Sequence, residues 1–307
     1  MVSTWLNGLV SGTAPAVGAG YFGGGYAATY TDTVDKFAFS DDSRTTLGTG
    51  LSSGGLGIAA MANSGTAGYF GGGSTGSNVD TVDKIAFSDD SVSTLGTGLS
   101  AATGTIAAMA NSGTAGYFGG GNTGAATSTV DKFDFSDDSR TTLGTGLSSA
   151  RFSAAGMANS GTAGYFGGGR TTTDVDTVDK FAFSDDSRTT LGTGLSAGRR
   201  GLAGMANSGT AGYFGGGTTG TRVDTVDKFA FSDDSRTTLG TGLSSARDNL
   251  AGMASSDNAG YFGGGYVAGN VDTVDKFAFS DDSRTTLGTG LAVATRYLGG
   301  MANSGTL

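Results

Sequence analysis

Few kinds of side chain in this sequence can do chemistry. There is no His and no Cys, and all 27 acidic residues are Asp. Without Cys there is no thiol nucleophile, disulfide or thiolate metal site. Without His the commonest general base and transition-metal ligand are missing. Asp pairs such as Asp41-Asp42 and Asp185-Asp186 are the remaining hard-cation candidates. Ca²⁺ wants roughly six to eight oxygens, and a short Ser-Asp-Asp-Ser segment beside an Arg offers fewer. Asp and Ser also build tight turns, which is the expected role here. Asp134, Asp174, Asp248 and Asp257 fall outside the shared pattern, but no two lie close in sequence. Paired carboxylates of the glycosidase kind are therefore not indicated. The segment Gly212–Gly217 (GYFGGG) reads like a phosphate loop, yet no helix follows to supply N–H donors. The expectation is a protein without catalytic residues, metal or cofactor.

Tyr and Arg remain as recognition side chains, within an acidic background. Lys and Arg total 18 against 27 Asp, a formal charge of −9. The cations are spread along the chain, whereas a nucleic-acid binder concentrates them in a stripe. No apolar run approaches the roughly 20 residues of a membrane span. The first residues, Met1 to Val10, lack the basic start of a secretory signal. Nucleic acid and membrane insertion are not expected.

The elements that position these side chains repeat. The hexapeptide GYFGGG begins at Gly20, Gly68, Gly116, Gly164, Gly212 and Gly260, a constant step of 48 residues. DKFAFSDDSRTTLGTGL follows from Asp35, Asp179, Asp227 and Asp275, with near copies from Asp83 and Asp131. Met-Ala-Asn-Ser-Gly-Thr recurs from Met61, Met109, Met157, Met205 and Met301, and is altered at Met253. The fifth unit reads as four strands: a, Gly201–Ala206; b, Ala211–Gly216; c, Val223–Phe231; d, Thr237–Leu243. Asn207–Thr210 and Ser232–Ser235 are the turns between a and b and between c and d. No segment keeps a 3.6-residue period, so helix is not expected. Four-stranded units at this period indicate propeller blades. The fold expectation is an all-β, six-bladed β-propeller over residues 20–307, with 1–19 as an N-terminal extension and candidate anchor. A β-solenoid is the alternative the repeat allows.

The unit resembles the kelch repeat. Tyr213-Phe214-Gly215-Gly216 matches the hydrophobic run and double glycine of a kelch strand b. Phe229 and Leu239 stand where kelch strands carry an aromatic-Asp pair and a Trp, so the likeness is divergent. The near-identical arrays also resemble those of bacteriophage tail-associated structural proteins. Ser232, Asp234 and Thr238 resemble the Asp box of sialidase-type propellers, a structural turn; Arg236 and Leu239 depart from it.

The chain ends imply how the ring closes. Arg296–Asn303 repeats strand a after the sixth strand d, and no good strand a precedes Gly20. The C-terminal strand is therefore expected to complete the first blade, which removes an exposed edge.

Comparing the six units shows variation in two windows, the b–c loop and the d–a connection. Both lie on one end of an up-down-up-down ring, while the constant a–b and c–d turns lie on the other. Drift in loops does not by itself spare one face. Tyr266 in the sixth b–c loop, Tyr26 and Tyr30 in the first, and Arg296 and Tyr297 between them should meet in one sector. Tyr pairs a flat apolar ring with a hydroxyl, which suits stacking on a sugar, and Tyr and Arg are frequent hot-spot types. Arg151, Arg170, Arg199, Arg200, Arg222 and Arg247 are expected elsewhere on that face, drawing an acidic glycan.

These readings, with the phage resemblance, imply a non-enzymatic virion protein that recognises a host surface glycan or other virion proteins. It could act as a homo-oligomer in the particle. A purely structural virion component and a cytoplasmic kelch-like interaction scaffold are the alternatives.

Overall fold

A computed structural model describes residues 18–256 and 258–304. Among these residues there are 24 strands, in six four-stranded antiparallel sheets, and no helix. Each sheet is one blade, and strand a of each blade packs beside strand a of the next around a central axis. In the fifth blade the strands are Ala203–Asn207, Ala211–Gly215, Val226–Ala230 and Arg236–Thr238. Strand d is shorter than expected because the chain bends at Gly240 and Thr241. It rejoins strand c only through Leu239 N–H to Val226 O (2.9 Å) and Leu243 N–H to Asp224 O (2.8 Å).

The first blade is closed from the far end of the chain. Gly299–Ala302 pairs antiparallel with Ala19–Gly23, with Met301 opposite Tyr21. Asn303 completes the seam: its side-chain oxygen accepts from Ala19 N–H (2.8 Å) and its own N–H donates to Ala19 O (2.9 Å). The sheet edge predicted to need cover is thus paired. Of the proposed extension, only Gly18 and Ala19 are described, and Ala19 already opens a strand. The anchor role expected of residues 1–19 otherwise concerns residues outside the described range.

Glycines in the strands let the blades interlock. A Cβ on Gly212 would collide with the Met157 sulfur, and one on Gly215 would meet the Phe262 ring. Strand b thus receives Met from strand a of the preceding blade and Phe from strand b of the following one. Both faces of strand b are buried in every blade, so its pattern reads as a continuous run rather than an alternation.

The constant turns have a structural cause. In each Ser-Asp-Asp-Ser turn the second Asp adopts a left-handed backbone, as at Asp282 (φ 57°), and reaches the preceding blade. There it accepts from the Tyr213 hydroxyl (2.9 Å) and the Lys228 ammonium (2.8 Å). The Tyr213 ring stacks on Phe279 (5.4 Å) and carries the Lys228 ammonium over its face (5.3 Å). Tyr261, Lys276 and Asp42 make the same latch across the ring closure. The first Asp of the turn is engaged locally, as where Asp185 accepts from Ser187 N–H (3.0 Å). The Ser187 hydroxyl, together with that N–H, holds the exposed Asp185 carboxyl below the usual carboxylate range. Asn159 likewise accepts from Gly209 N–H of the next blade (2.9 Å), which ties the a–b turns together. Both carboxylates of the turn are committed to the fold.

Candidate functional site

The varied face holds a funnel on the propeller axis. Its cavity volume is about 380 Å³, and its wall includes Asn78, Asn122, Phe152, Arg200, Asp248, Asn249 and Tyr297. Below it, strands a pack so closely that a Cβ on Gly204 would strike the Gly156 carbonyl. The axial space therefore narrows below the funnel. The narrow channel space beneath is about 90 Å³.

A belt of left-handed residues forms the throat. Gly57 (φ 70°), Thr105 (49°), Ser153 (55°), Gly201 (63°), Asn249 (57°) and Tyr297 (60°) occupy the same position in successive units. Their backbones bond around the axis. Gly57 N–H donates to Tyr297 O (2.8 Å), Tyr297 to Asn249 (2.7 Å), Asn249 to Gly201 (2.6 Å), Gly201 to Ser153 (2.9 Å) and Ser153 to Thr105 (2.9 Å). Glycine satisfies this geometry freely, and two units use it. A side chain in this region costs of order 1 kcal/mol, most for β-branched or bulky types. Thr105 and Tyr297 accept that strain, and their side chains stand at the funnel.

The expected tyrosine sector is assembled. Tyr26 and Arg296 exchange backbone bonds (2.8 and 3.1 Å), which joins the first b–c loop to the closing d–a connection. The Arg296 guanidinium lies over Tyr266 (4.6 Å), Tyr26 (5.3 Å) and Tyr297 (5.7 Å). Tyr30 meets Tyr26 edge-on (5.7 Å) and is 40% exposed. Asn270 locks the neighbouring loops by donating to Tyr26 O (2.9 Å) and Ala27 O (2.8 Å).

The other arginines divide into two groups. Arg170, Arg200 and Arg222 are on the face, but each has a carboxylate. Arg200 donates to both oxygens of Asp174 (2.7 and 2.8 Å), Arg170 reaches Asp174 at 3.5 Å, and Arg222 donates to Asp248 (2.8 Å) and stacks on Tyr266. Arg151, Arg199 and Arg247 are not on the face at all. Their exposure is 0–1%, and they pair inside the blades with Asp179, Asp227 and Asp275. The expectation that they draw a ligand is corrected. Arg199 and Arg200 are adjacent and point to opposite sides, one into the blade stack and one to the funnel.

Burial pushes the Arg199 guanidinium down from its ordinary range, against the pull of Asp227. Burial also opposes ionisation of Asp179, but donors from Thr190, Ser148 and Arg151 outweigh it and hold the carboxyl low. Breaking such a pair strands a buried charge. Arg199→Thr, the residue type found at the matching Thr103 and Thr295, is expected to lower stability by about 3–5 kcal/mol. Urea unfolding monitored by circular dichroism checks this; an unchanged midpoint and slope would remove the pair from the stability account.

The throat residues Thr105, Ser153 and Asn249, together with Phe152, were not singled out from sequence. Their signal was present as one column of the d–a window that mixes Gly with Asn, two types that tolerate positive φ. No family model and no curated protein matches the chain.

Proposed function

We propose that this propeller is a non-enzymatic binding module that takes a host surface glycan at its varied face, in the setting of a bacteriophage tail or fibre. The observation that carries the reading is the convergence of Tyr26, Tyr266, Tyr297 and Arg296 from three loops beside an axial funnel. Rings held by backbone bridges lose little freedom on binding, and their flat faces suit the apolar side of a sugar. The strained Tyr297 supports it further. Positions with a free choice of glycine retain a strained side chain when that side chain has work to do. The constant face is already occupied by blade-to-blade contacts, so its invariance is no argument for an assembly surface. The resemblance of the repeat to phage tail arrays supplies the setting.

Tyr26→Ala, Tyr266→Ala and Tyr297→Ala are each expected to weaken glycan or host-cell binding by about tenfold or more, as hot-spot aromatics do. Asp185→Ala on the opposite face should bind normally. Glycan-array and cell-binding measurements on the folded variants test it. Undiminished binding by all three Tyr variants overturns the site. Electron microscopy of particles tests the setting; a phage particle lacking the protein would overturn that part.

A further inference from the structure

Arg296 differs from every other arginine among the described residues. Each of the others has a side-chain hydrogen bond or an ion pair: carboxylates for Arg200, Arg222 and Arg247, a carbonyl for Arg236, Arg284 and Arg44. The Arg296 guanidinium has neither. Its neighbours are three tyrosine rings, and its Nε is buried without a partner. The funnel carboxylate Asp248 is taken by Arg222, and Asp174 on the same face by Arg200.

We propose that the Arg296 guanidinium, caged by Tyr26, Tyr266 and Tyr297, binds the carboxylate of an acidic sugar at the rim of the axial funnel.

The proposal rests on the glycan reading above and narrows it to one chemical class. A guanidinium is planar and matches a carboxylate through two parallel N–H···O bonds. Stacking on aromatic faces fixes the plane of the group while leaving its N–H edge free to donate. The rings also lower the local polarity, so an incoming anion meets less competition from water than on an open surface. The same rings offer stacking surface to the sugar ring that bears the carboxylate. A neutral sugar would use the Tyr faces alone and leave the guanidinium without an anion. Attraction by the other arginines predicted on this face is not required: Arg200 and Arg222 are held by Asp174 and Asp248, and Arg151, Arg199 and Arg247 are buried in ion pairs. One cation in a chain of net charge −9 then acts by geometry at short range, not by long-range steering.

The test uses the whole chain and titration calorimetry with three probes: methyl glucuronide, its uncharged amide, and a Glu-rich peptide. The acid is expected to bind at least about tenfold tighter than the amide, the size of a charge-assisted pair. Arg296→Gln, with an unchanged circular dichroism spectrum, should bind acid and amide equally. The acid-to-amide ratio in the unaltered protein needs no variant, so a misfolded Arg296→Gln leaves the proposal falsifiable. Equal binding of acid and amide by the unaltered protein overturns this inference and leaves the glycan reading standing. Tighter binding of the peptide than of the sugar acid overturns the sugar assignment. Binding of neither sugar, with no hit on a wider array of neutral and acidic glycans, takes down the glycan reading itself.

Discussion

Raising the pH above about 10 is expected to unfold the propeller within one to two pH units, in a single steep transition. The cause is a ring of six tyrosines, Tyr21, Tyr69, Tyr117, Tyr165, Tyr213 and Tyr261, out of 10 in the chain. Each phenol is buried and donates to an Asp of the next blade, as Tyr21 does to Asp90 (2.8 Å). Burial, then the hydrogen bond and the charge of that Asp, push each phenol far above its ordinary range. The sign follows from proton linkage. Above the ordinary tyrosine pKa of about 10 the unfolded chain releases protons that the folded chain keeps. Stability is therefore intact below that pH and falls as pH rises. One phenol contributes about 1.4 kcal/mol per pH unit, so six contribute about 8. A domain stability of about 5–15 kcal/mol is used up quickly at that slope. Tyrosinate absorbance and circular dichroism, followed together, check this. The six phenols should ionise with the loss of strand signal and not before it. Tyr213→Phe should reduce the slope by the share of one proton. Ionisation of all 10 tyrosines in a chain that keeps its strand spectrum would sink the latch.

That latch also shows what the sequence could and could not reveal. The step of 48 residues, the turns and the unpaired first blade were sufficient for ring, blade count and closure. Partners across blades were hidden by the repetition itself. Asp234 and Asp282 are the same letter in the same phase, so nothing in the text says which of them Tyr213 reaches. The structure gives Asp282, one blade on. For the same reason the constancy of one face could be read only as a contrast with the varied one, when its turns are the blade-to-blade contact. The arginines failed for a different reason. Arg199 and Arg200 sit in a loop window, where neighbouring side chains were assumed to share one exposed side. The local backbone is extended, with Arg200 bridged to Thr218, so consecutive side chains alternate. The aromatic sector was legible because it needed only loop order and ring closure. The throat was not, because backbone strain is a property of φ and leaves a faint trace in residue type.

Ending the chain after Leu298 is expected to abolish the fold. The lost segment, Gly299–Ala302, is the innermost strand of the first blade. Met301 and Ala302 are completely buried, and the Met301 side chain fills the hollow over Gly68 in the next blade. Emptying a buried Met position alone costs about 2–5 kcal/mol. The deletion also opens the ladder to Ala19–Gly23 and removes the contacts of this strand with strands a of the second and sixth blades. Tyr21, whose phenol must stay dry, then loses its cover opposite Met301. These losses fall on both sides of one seam, so the ring has no intact path around it. Together they exceed the few kcal/mol of margin that a domain has. Truncated protein should show no cooperative thermal transition. A synthetic peptide of residues 296–307 added in trans should restore one, at the entropic disadvantage of a second molecule. A truncated chain that melts sharply at the parental temperature would show that the other five blades close without this strand. The pairing with Ala19–Gly23 would then be an ornament of the first blade and not the clasp of the ring.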